Sequence, residues 1–284
     1  MKRTLVVHTG GIGDLLLACP ALIRLAEEGP VELLGRPDRL ALPLSAGIAR
    51  ATHDLDQSGF ETLFSEPARG SLARAPDARL RGLLSRFERC VVWMRDDGTI
   101  ARALRDCGVA DVRVFAGLPP NDWNRHASHY YLERLGYEPR GALHLPIAPA
   151  ATRRDVILHP GSGGPHKNWP LDRYVAVAHE LERHGRGVTW CMGPAEANMT
   201  LPSGGAVLQT QDLVMLAREL ATARLYIGND SGVTHLAAAV GCRTIAVFGP
   251  TNPKVWAPLG NHVTAVQGTP WPEAEDVLTH AESA

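Results

Sequence analysis

Short runs of apolar residues alternate along this chain with segments in which apolar positions repeat at helical spacing. The runs predict strands at residues 4–9, 31–35, 60–64, 90–94 and 112–115, and the helical spacing predicts helices at 15–28 and 124–135. The first helix has four apolar residues on one face and ends at Gly29-Pro30. Alternation of strand and helix is typical of a parallel sheet with helices on both faces.

The same pattern restarts after residues 145–152, a segment of two prolines and several small residues that we interpret as a linker. Strands are predicted at 155–159, 188–192, 225–228 and 244–248, and helices at 171–184, 212–223, 233–240 and 272–284. The chain therefore divides into domains at 1–148 and 149–270, which gives an α/β fold of two facing, doubly wound, Rossmann-like domains. Ligands of such sheets bind beyond the carboxyl ends of the strands, so we expect the site in the cleft between the domains.

Composition and charge narrow the function classes. The 284 residues are 45% hydrophobic and 21% charged, as in ordinary globular proteins, and a net charge of −1 argues against a dedicated nucleic-acid binder. The five cysteines form no CxxC pair, which favours a reduced, cytoplasmic setting without disulfides or a zinc site. With no run of 18 apolar residues and no long apolar region near residue 1, we expect neither a membrane span nor a cleaved leader.

A glycine-rich turn at residues 8–14 joins the first strand to the first helix. Gly11 and Gly13 let a ligand approach the backbone, and the start of the helix offers free N–H groups. Asp14, in the first helical turn, suits either a helix cap or a catalytic carboxylate. The spacing is not GxGxxG, and no acid ends the second strand, so a dinucleotide site is disfavoured.

A second loop, residues 159–170, is rich in glycine and proline and lies between a strand and a helix. It contains Ser162 and Lys167, and the chain has only three lysines in all. Lys167 just before a helix is well placed to meet a phosphate, although a surface lysine on a turn would look the same. The loop lacks the GxxxxGK[ST] pattern of a Walker A motif.

Three further turns follow predicted strands. Residues 228–235 place Asp230, Ser231 and Gly232 at a helix start, where backbone N–H groups bind a diphosphate or a side chain simply caps the helix. His235 in that helix also suits a buried core position. Glu196 suits a ribose contact or a solvated first turn, and Thr251 a phosphate contact or a rigid turn.

Read together, residues 9–17, 156–171 and especially 212–253, with NDSGVTHLAAAVG and TIAVFGPTNP, resemble glycosyltransferase family 9, the bacterial heptosyltransferases of lipopolysaccharide core synthesis. The resemblance implies a GT-B fold with the nucleotide sugar on the second domain, the acceptor mainly on the first, and residues 271–284 packing back on the first domain. It implies inverting transfer of heptose from an ADP-activated donor without a metal or other cofactor. No DxD ligand pair stands in the binding loops.

Residue by residue, the resemblance assigns Asp14 as the general base, Lys167 to the phosphates and Glu196 to the ribose. It assigns Asp230, Ser231 and Gly232 to the diphosphate and matches His235 to the family's helix histidine. The chain is shorter than typical members, and residues 40–111 contain no block that matches the family, although this region should help to form the acceptor side.

The expected partners are a nucleotide-sugar donor and a glycolipid or oligosaccharide acceptor, with peripheral contact at the inner face of the cytoplasmic membrane. Six arginines within residues 69–89 suit either an anionic glycolipid or a solvated helix face. Two other functions of the same fold stay open: a nucleotide-sugar epimerase, which needs no acceptor, and a non-catalytic nucleotide-sugar-binding protein.

Overall fold

A computed structural model of the chain describes residues 2–64, 77–139, 141–193, 196, 199–200 and 205–282. Over these ranges the chain forms two parallel sheets with helices packed on their faces. The sheets divide between residues 115 and 154, a range that contains the predicted linker. This confirms the predicted α/β architecture of two doubly wound domains.

In the described part of the first domain, five strands pair in the order β3-β2-β1-β4-β5. Their bounds are β1 Thr4–His8, β2 Val31–Gly35, β3 Ala51–Asp54, β4 Arg89–Trp93 and β5 Asp111–Phe115. The helices are α1 Ile12–Glu28, α2 Pro37–Ser45, α3 Ala78–Leu84, α4 Thr99–Asp106 and α5 Ala127–Arg134.

In the described part of the second domain, six strands pair in the order β11-β10-β9-β6-β7-β8. Their bounds are β6 Arg154–His159, β7 Val188–Met192, β8 Ala206–Gln209, β9 Ala223–Asn229, β10 Thr244–Phe248 and β11 Val263–Gln267. The helices are α6 Leu171–Arg183, α7 Leu213–Leu220, α8 Gly232–Ala239, α9 Pro253–Trp256 and α10 Ala274–Glu282.

One hydrophobic core is shared by the two domains. Side chains alternate across β1, so that Leu5 and Val7 face one cluster while Val6 faces another. The cluster that contains Val6 continues through α1 and into the second domain, where α8 supplies Leu236 and Ala237. Helix α1 packs directly on α8, and α2 packs on α7. These contacts place the carboxyl ends of both sheets on either side of one cleft.

The predicted strand at 60–64 is wrong, because Phe60–Phe64 forms a 3₁₀ helix. Phe60 and Leu63 are buried three residues apart, a spacing that suits one face of a 3₁₀ helix and not the two-residue repeat of a strand. Gly59, with φ of +77°, starts the turn, and the Thr62 amide and hydroxyl both donate to its carbonyl.

The expectation that residues 271–284 pack back on the first domain is also wrong over the described residues. Helix α10 packs on α6, β10 and β11 of the second domain. Its Val277 and Ala281 are fully buried in that domain's own core, and the indole N–H of Trp169 donates to the carbonyl of Pro272 at 2.9 Å. Apolar burial on the nearest sheet therefore fixes the last helix in place.

Two of the six arginines at residues 69–89, Arg69 and Arg74, lie outside the described residues. Arg89 is buried and pairs with Glu28 and Asp111, at 2.7 and 2.8 Å, and Arg86 pairs with Glu32 at 3.3 Å. These two arginines join strands and helices of the first domain.

No helix in the described ranges is long and apolar enough to cross a lipid bilayer.

Candidate functional site

A cleft of about 980 Å³ lies between the carboxyl ends of the two sheets. Every candidate residue named from the sequence lines it. They are Gly11, Gly13 and Asp14 from the first domain, and Ser162, Lys167, Glu196, Asp230, Ser231, Gly232, His235 and Thr251 from the second. Five turns that are far apart in sequence therefore meet at one place.

On the first-domain wall, Asp14 stands at the third position of α1. Its Oδ2 atom accepts a hydrogen bond from the Gly11 N–H at 2.8 Å, so the carboxylate caps its own helix. The side chain is partly exposed and lines the cleft. A carboxylate with one oxygen fixed and access to the cleft is suited to accept a proton from a bound hydroxyl group.

Positive charge lies next to this turn. The Arg39 guanidinium donates to the carbonyl of Gly10 at 2.5 Å, and both Arg36 and Arg39 line the cleft. His8, at the end of β1, is buried, and burial followed by the charge of Arg39 lowers its pKa to about 4, although its contact with the Asp14 backbone acts in the opposite direction. His8 is therefore neutral at pH 7.

On the opposite wall, α8 presents its N-terminus. The Ser231 hydroxyl accepts from the Thr234 N–H at 3.3 Å, which confirms a capping role without adding a charge. Gly232 and Val233 also line the cleft. Since the N-terminal end of a helix carries partial positive charge, this turn suits an anion.

Lys167 reaches the same place from the loop that follows β6. Its Nζ atom lies 3.2 Å from Oδ2 of Asp230, and the lysine side chain is 25% exposed. Lys167 is thus held over the first turn of α8 and not directed into bulk solvent. An ammonium group beside free helix amides is a combination that binds phosphate.

A buried asparagine that the sequence pattern did not single out fixes this loop. The side-chain amide of Asn229 donates to the carbonyls of Pro160 and Gly161, at 2.7 and 3.2 Å. Its side-chain oxygen accepts from the backbone N–H of Trp169 at 2.9 Å and from the Tyr174 hydroxyl at 3.0 Å. Because these contacts close both ends of residues 160–169, Asn229 sets where Lys167 lies. The motif NDSG is a signal for it, although any of its polar residues also suits a helix cap.

Ser162 has a similar role within the loop. Its Oγ atom lies 2.7 Å from the Gly164 carbonyl and 2.7 Å from Oδ1 of Asn168, and it accepts from the Gly164 N–H at 3.2 Å. The hydroxyl is engaged in shaping the loop. Thr251, after β10, differs, because its hydroxyl oxygen is buried and has no hydrogen-bond partner among the described residues.

Glu196 is a buried carboxylate, 2% exposed, beyond the end of β7. Its Oε2 atom accepts from the Gly193 N–H at 2.6 Å, and its Oε1 atom lies 3.7 Å from Nε2 of His159. Burial raises the pKa of Glu196, but the His159 ring and the backbone N–H groups of Gly193 and Glu196 outweigh it, so the net pKa is lowered. The carboxylate is therefore ionised and offers lone pairs to a ligand.

Two glycines allow the walls to approach each other. A Cβ atom at Gly232 would lie 2.8 Å from Cβ of Ile12, and one at Gly13 would lie 3.3 Å from the His235 ring. Gly13 thus lines the cleft and also leaves room for His235. Burial lowers the pKa of His235 to about 4, against the opposing charge of Asp230, so His235 is a neutral, buried side chain at the domain contact.

Comparison with known proteins shows which family the chain resembles. A sequence model described as glycosyltransferase family 9 (heptosyltransferase) matches residues 126–283, more than half of the chain. The chain is 36% identical over 104 residues to lipopolysaccharide heptosyltransferase 1 of Pseudomonas aeruginosa, a match that covers 34% of this chain and 29% of that protein. The matched segment thus spans less than a third of this curated relative's length.

Solved structures extend the likeness to the whole fold. A family 9 glycosyl transferase from Veillonella parvula superposes with a TM-score of 0.78 at 17% identity, covering 99% of this chain and 96% of that one. The E. coli ADP-heptose lps heptosyltransferase II superposes with a TM-score of 0.73 at 16% identity, covering 99% and 98%. The two facing domains are therefore those of the GT-B fold. The chain belongs to glycosyltransferase family 9, the heptosyltransferase family.

Proposed function

We propose that this chain is an inverting, metal-independent glycosyltransferase that moves heptose from ADP-heptose to a lipopolysaccharide-core or related glycan acceptor. The observation that carries the proposal is the pairing of opposite charges across one cleft. The Asp14 carboxylate stands on one wall, and Lys167 with the N-terminus of α8 stands on the other. The name of the E. coli relative supports ADP-heptose as the donor.

The strand order supports one direction for the donor along the second sheet. Thr251, Asp230, Lys167, Glu196 and the turn at 210–211 follow β10, β9, β6, β7 and β8, which are successive neighbours in the sheet. The diphosphate fits between β9 and β6, where Lys167 and the α8 amides lie. The ribose then falls near Glu196. The base falls near β8 and α7, where Leu213 and Leu216 line the cleft.

The reaction is a displacement at the anomeric carbon. The acceptor oxygen forms the new bond while the bond to the diphosphate oxygen breaks, and the nucleoside diphosphate leaves with the electron pair. Asp14 takes the proton of the acceptor hydroxyl. Because Asp14 and the diphosphate-binding groups stand on opposite walls, attack from the face opposite the leaving group inverts the anomeric carbon, through an oxocarbenium-like transition state.

Charge on the leaving group is stabilised by fixed donors. Lys167 and the N–H groups at Ser231 and Gly232 face the diphosphate as it gains negative charge, in a partly enclosed cleft where such contacts are strongest. Asp230 holds Lys167 in place before the donor binds. These groups supply the stabilisation that a divalent cation gives in other transferases, so we propose that turnover is unchanged by EDTA.

The acceptor would lie on the first-domain wall, beside Asp14. Arg36 and Arg39 line that wall, and guanidinium groups pair well with phosphates or carboxylates. This suits an anionic glycolipid at the inner face of the cytoplasmic membrane, with a cytoplasmic, peripheral protein acting on it. Sedimentation with vesicles that carry such a glycolipid, compared with plain phosphatidylcholine vesicles, measures this contact.

The first experiment is calorimetric binding of ADP, GDP and UDP in EDTA, followed by turnover assays with ADP-heptose. We expect ADP to bind most tightly and ADP-heptose to be consumed only when an acceptor is added, with inversion seen by NMR of the product. Consumption without acceptor would identify an epimerase. Binding without turnover on any core acceptor would identify a non-catalytic nucleotide-sugar-binding protein, and preference for UDP or GDP would overturn the donor.

A further inference from the structure

The Glu196 carboxylate lies in a close-fitting backbone cradle. A Cβ atom at Gly161 would lie 1.5 Å from its Oε1 atom, and one at Gly193 would lie 3.0 Å from its Oε2 atom. Neither position therefore accepts a larger residue while the carboxylate stays where it is. Such a cradle fixes the carboxylate against two loops but leaves its charge to be balanced by other groups.

The side chain of His159 lies beside this carboxylate. His159 is the last residue of β6 and is 3% exposed. Its Nε2 atom lies 3.7 Å from Oε1 of Glu196. The Nδ1 atom of the same ring is buried without a hydrogen-bond partner in the described part of the chain. A buried imidazole with one orphaned nitrogen gains its polar contact through the other, which faces Glu196.

The His159 ring also has an aromatic neighbour. The Tyr226 ring lies 6.4 Å from it, centroid to centroid, at an interplanar angle of 35°. Tyr226 is itself fully buried and its hydroxyl contacts the Thr234 hydroxyl at 3.1 Å. His159 thus has a buried aromatic side chain and a carboxylate that lines the cleft as its neighbours.

We infer that His159 is a positioning residue, which holds the Glu196 carboxylate ionised and oriented so that it accepts hydrogen bonds from the ribose hydroxyls of the donor nucleotide. The inference rests on the proposed function. An ionised carboxylate has about four acceptor positions. The Gly193 N–H takes one of them and His159 faces another, which leaves the remainder for the vicinal hydroxyls of a ribose. Without His159, burial favours the protonated acid, which is a poorer acceptor.

The test compares ADP with 2′,3′-dideoxyADP, which has no ribose hydroxyl to offer Glu196. The wild-type protein should prefer ADP by roughly 10- to 100-fold in Kd, the range for hydrogen bonds to a charged group. His159→Leu should reduce this preference to within about twofold by weakening ADP while leaving dideoxyADP nearly unchanged. His159→Gln, whose amide places an N–H group near the position of Nε2, should restore most of it.

Further variants separate positioning from general structural support. In a Glu196→Ala background, His159→Leu should change neither Kd further, because its effect passes through the carboxylate. Should His159→Leu fail to fold, His159→Asn carries the same test, since its shorter amide does not reach Glu196. Each variant is compared with the wild type by its melting temperature.

The outcomes distinguish this inference from the proposed function. Equal weakening of both nucleotides by His159→Leu, or an unchanged preference for ADP, overturns the positioning role. A wild-type protein that binds ADP and dideoxyADP equally overturns it too, and leaves the donor proposal standing. A preference for GDP or UDP overturns the donor alone, and the ribose comparison then uses the dideoxy form of that nucleotide. A protein that binds no nucleoside diphosphate overturns both.

Discussion

Two strand–turn–helix units face each other across the cleft, one at residues 8–14 and the other at residues 228–235. Each presents a helix N-terminus, and each has a buried neutral histidine, His8 or His235. They differ in what covers the helix end. The first is covered by the charged carboxylate of Asp14, the second by the neutral hydroxyl of Ser231 with Lys167 nearby. In the proposed mechanism, this difference in capping side chain makes one turn the proton acceptor and the other the anion site.

The largest effect is expected from Asp14→Asn. The amide oxygen still accepts from the Gly11 N–H, so the cap is kept while the proton acceptor is lost. We expect turnover to fall by roughly 10²–10⁴-fold, the range for loss of a general base, with the Kd for ADP unchanged. Steady-state assays with ADP-heptose, together with calorimetry, measure both quantities.

Asp14→Ala is the companion variant, since it removes the cap as well as the base. Its turnover should match that of Asp14→Asn, while its unfolding free energy should be lower by about 1 kcal/mol, the usual cost of a lost cap. Turnover near the wild-type value in either variant would remove Asp14 from the mechanism.

The two buried histidines give the next largest effect, on stability. In the folded protein each takes up a proton only near pH 4, whereas in the unfolded chain each does so near its ordinary pKa of 6.5. The unfolded state therefore binds more protons between these values, and stability rises with pH across this window and is fully present above it. From pH 7 to pH 5 we expect a loss of about 2 kcal/mol for each histidine, measured by urea unfolding.

Single variants assign this pH dependence to its sources. His8→Gln and His235→Gln should each reduce the slope of stability against pH between 7 and 5, by similar amounts. His262→Gln, at an exposed position, is the matched control and should leave the slope as it is. A slope that stays unchanged in both buried variants would show that other groups cause the acid sensitivity.

Lys167→Ala tests the charge on the second turn. Removal of the ammonium group deletes one contact to the diphosphate and leaves Asp230 facing it, so we expect the Kd for ADP to rise by roughly 10- to 100-fold. Lys254→Ala, an exposed lysine that does not line the cleft, is the control and should leave the affinity unchanged. Equal affinities in wild type and Lys167→Ala would end the phosphate-binding role.

The smallest effect compares the two glycines at the contact of the turns. At Gly232 the new Cβ atom would press on Cβ of Ile12 and on the Gly13 backbone, so we expect Gly232→Ala to lose about 1 kcal/mol of stability after the gain in helix propensity is subtracted. At Gly13 the neighbour is the edge of the His235 ring, at 3.3 Å, and the two effects nearly cancel. Thermal unfolding of both variants would contradict this if Gly13→Ala were the less stable.

Burial explains which strands the sequence could predict. The inner strands β1, β4, β6 and β9 are buried on both faces and appear as continuous apolar runs. The strands that the pattern missed, β3, β8 and β11, all lie at edges of the sheets and are only partly buried. Val207 of β8, for example, is 53% exposed. A half-solvated strand lacks the continuous apolar run of an inner strand. The edge strand β5 is the exception, because Val112, Val114 and Phe115 were enough to predict it.

The grouping of the candidate residues in one site was predictable from their positions along the chain. Each of the five turns follows a predicted strand, and the carboxyl ends of parallel strands share one edge, so Asp14, Lys167 and Asp230 were expected to meet. The roles of Asn229 and His159 were not, because both depend on contacts between distant segments. Asn229 reaches Pro160 across 69 residues, and the pairing of His159 with Glu196 needs both loops in place.

The apolar core that runs from α1 through α8 has a thermodynamic consequence. Because Leu15 and Leu236 belong to one continuous cluster, neither domain can unfold without exposing the buried surface of the other. Calorimetry should therefore record a single cooperative transition in which the van't Hoff and calorimetric enthalpies agree. By the same linkage, a ligand that binds only to the second domain stabilises both domains against unfolding. The melting temperature of the whole chain therefore rises with the ligand occupancy of the second domain.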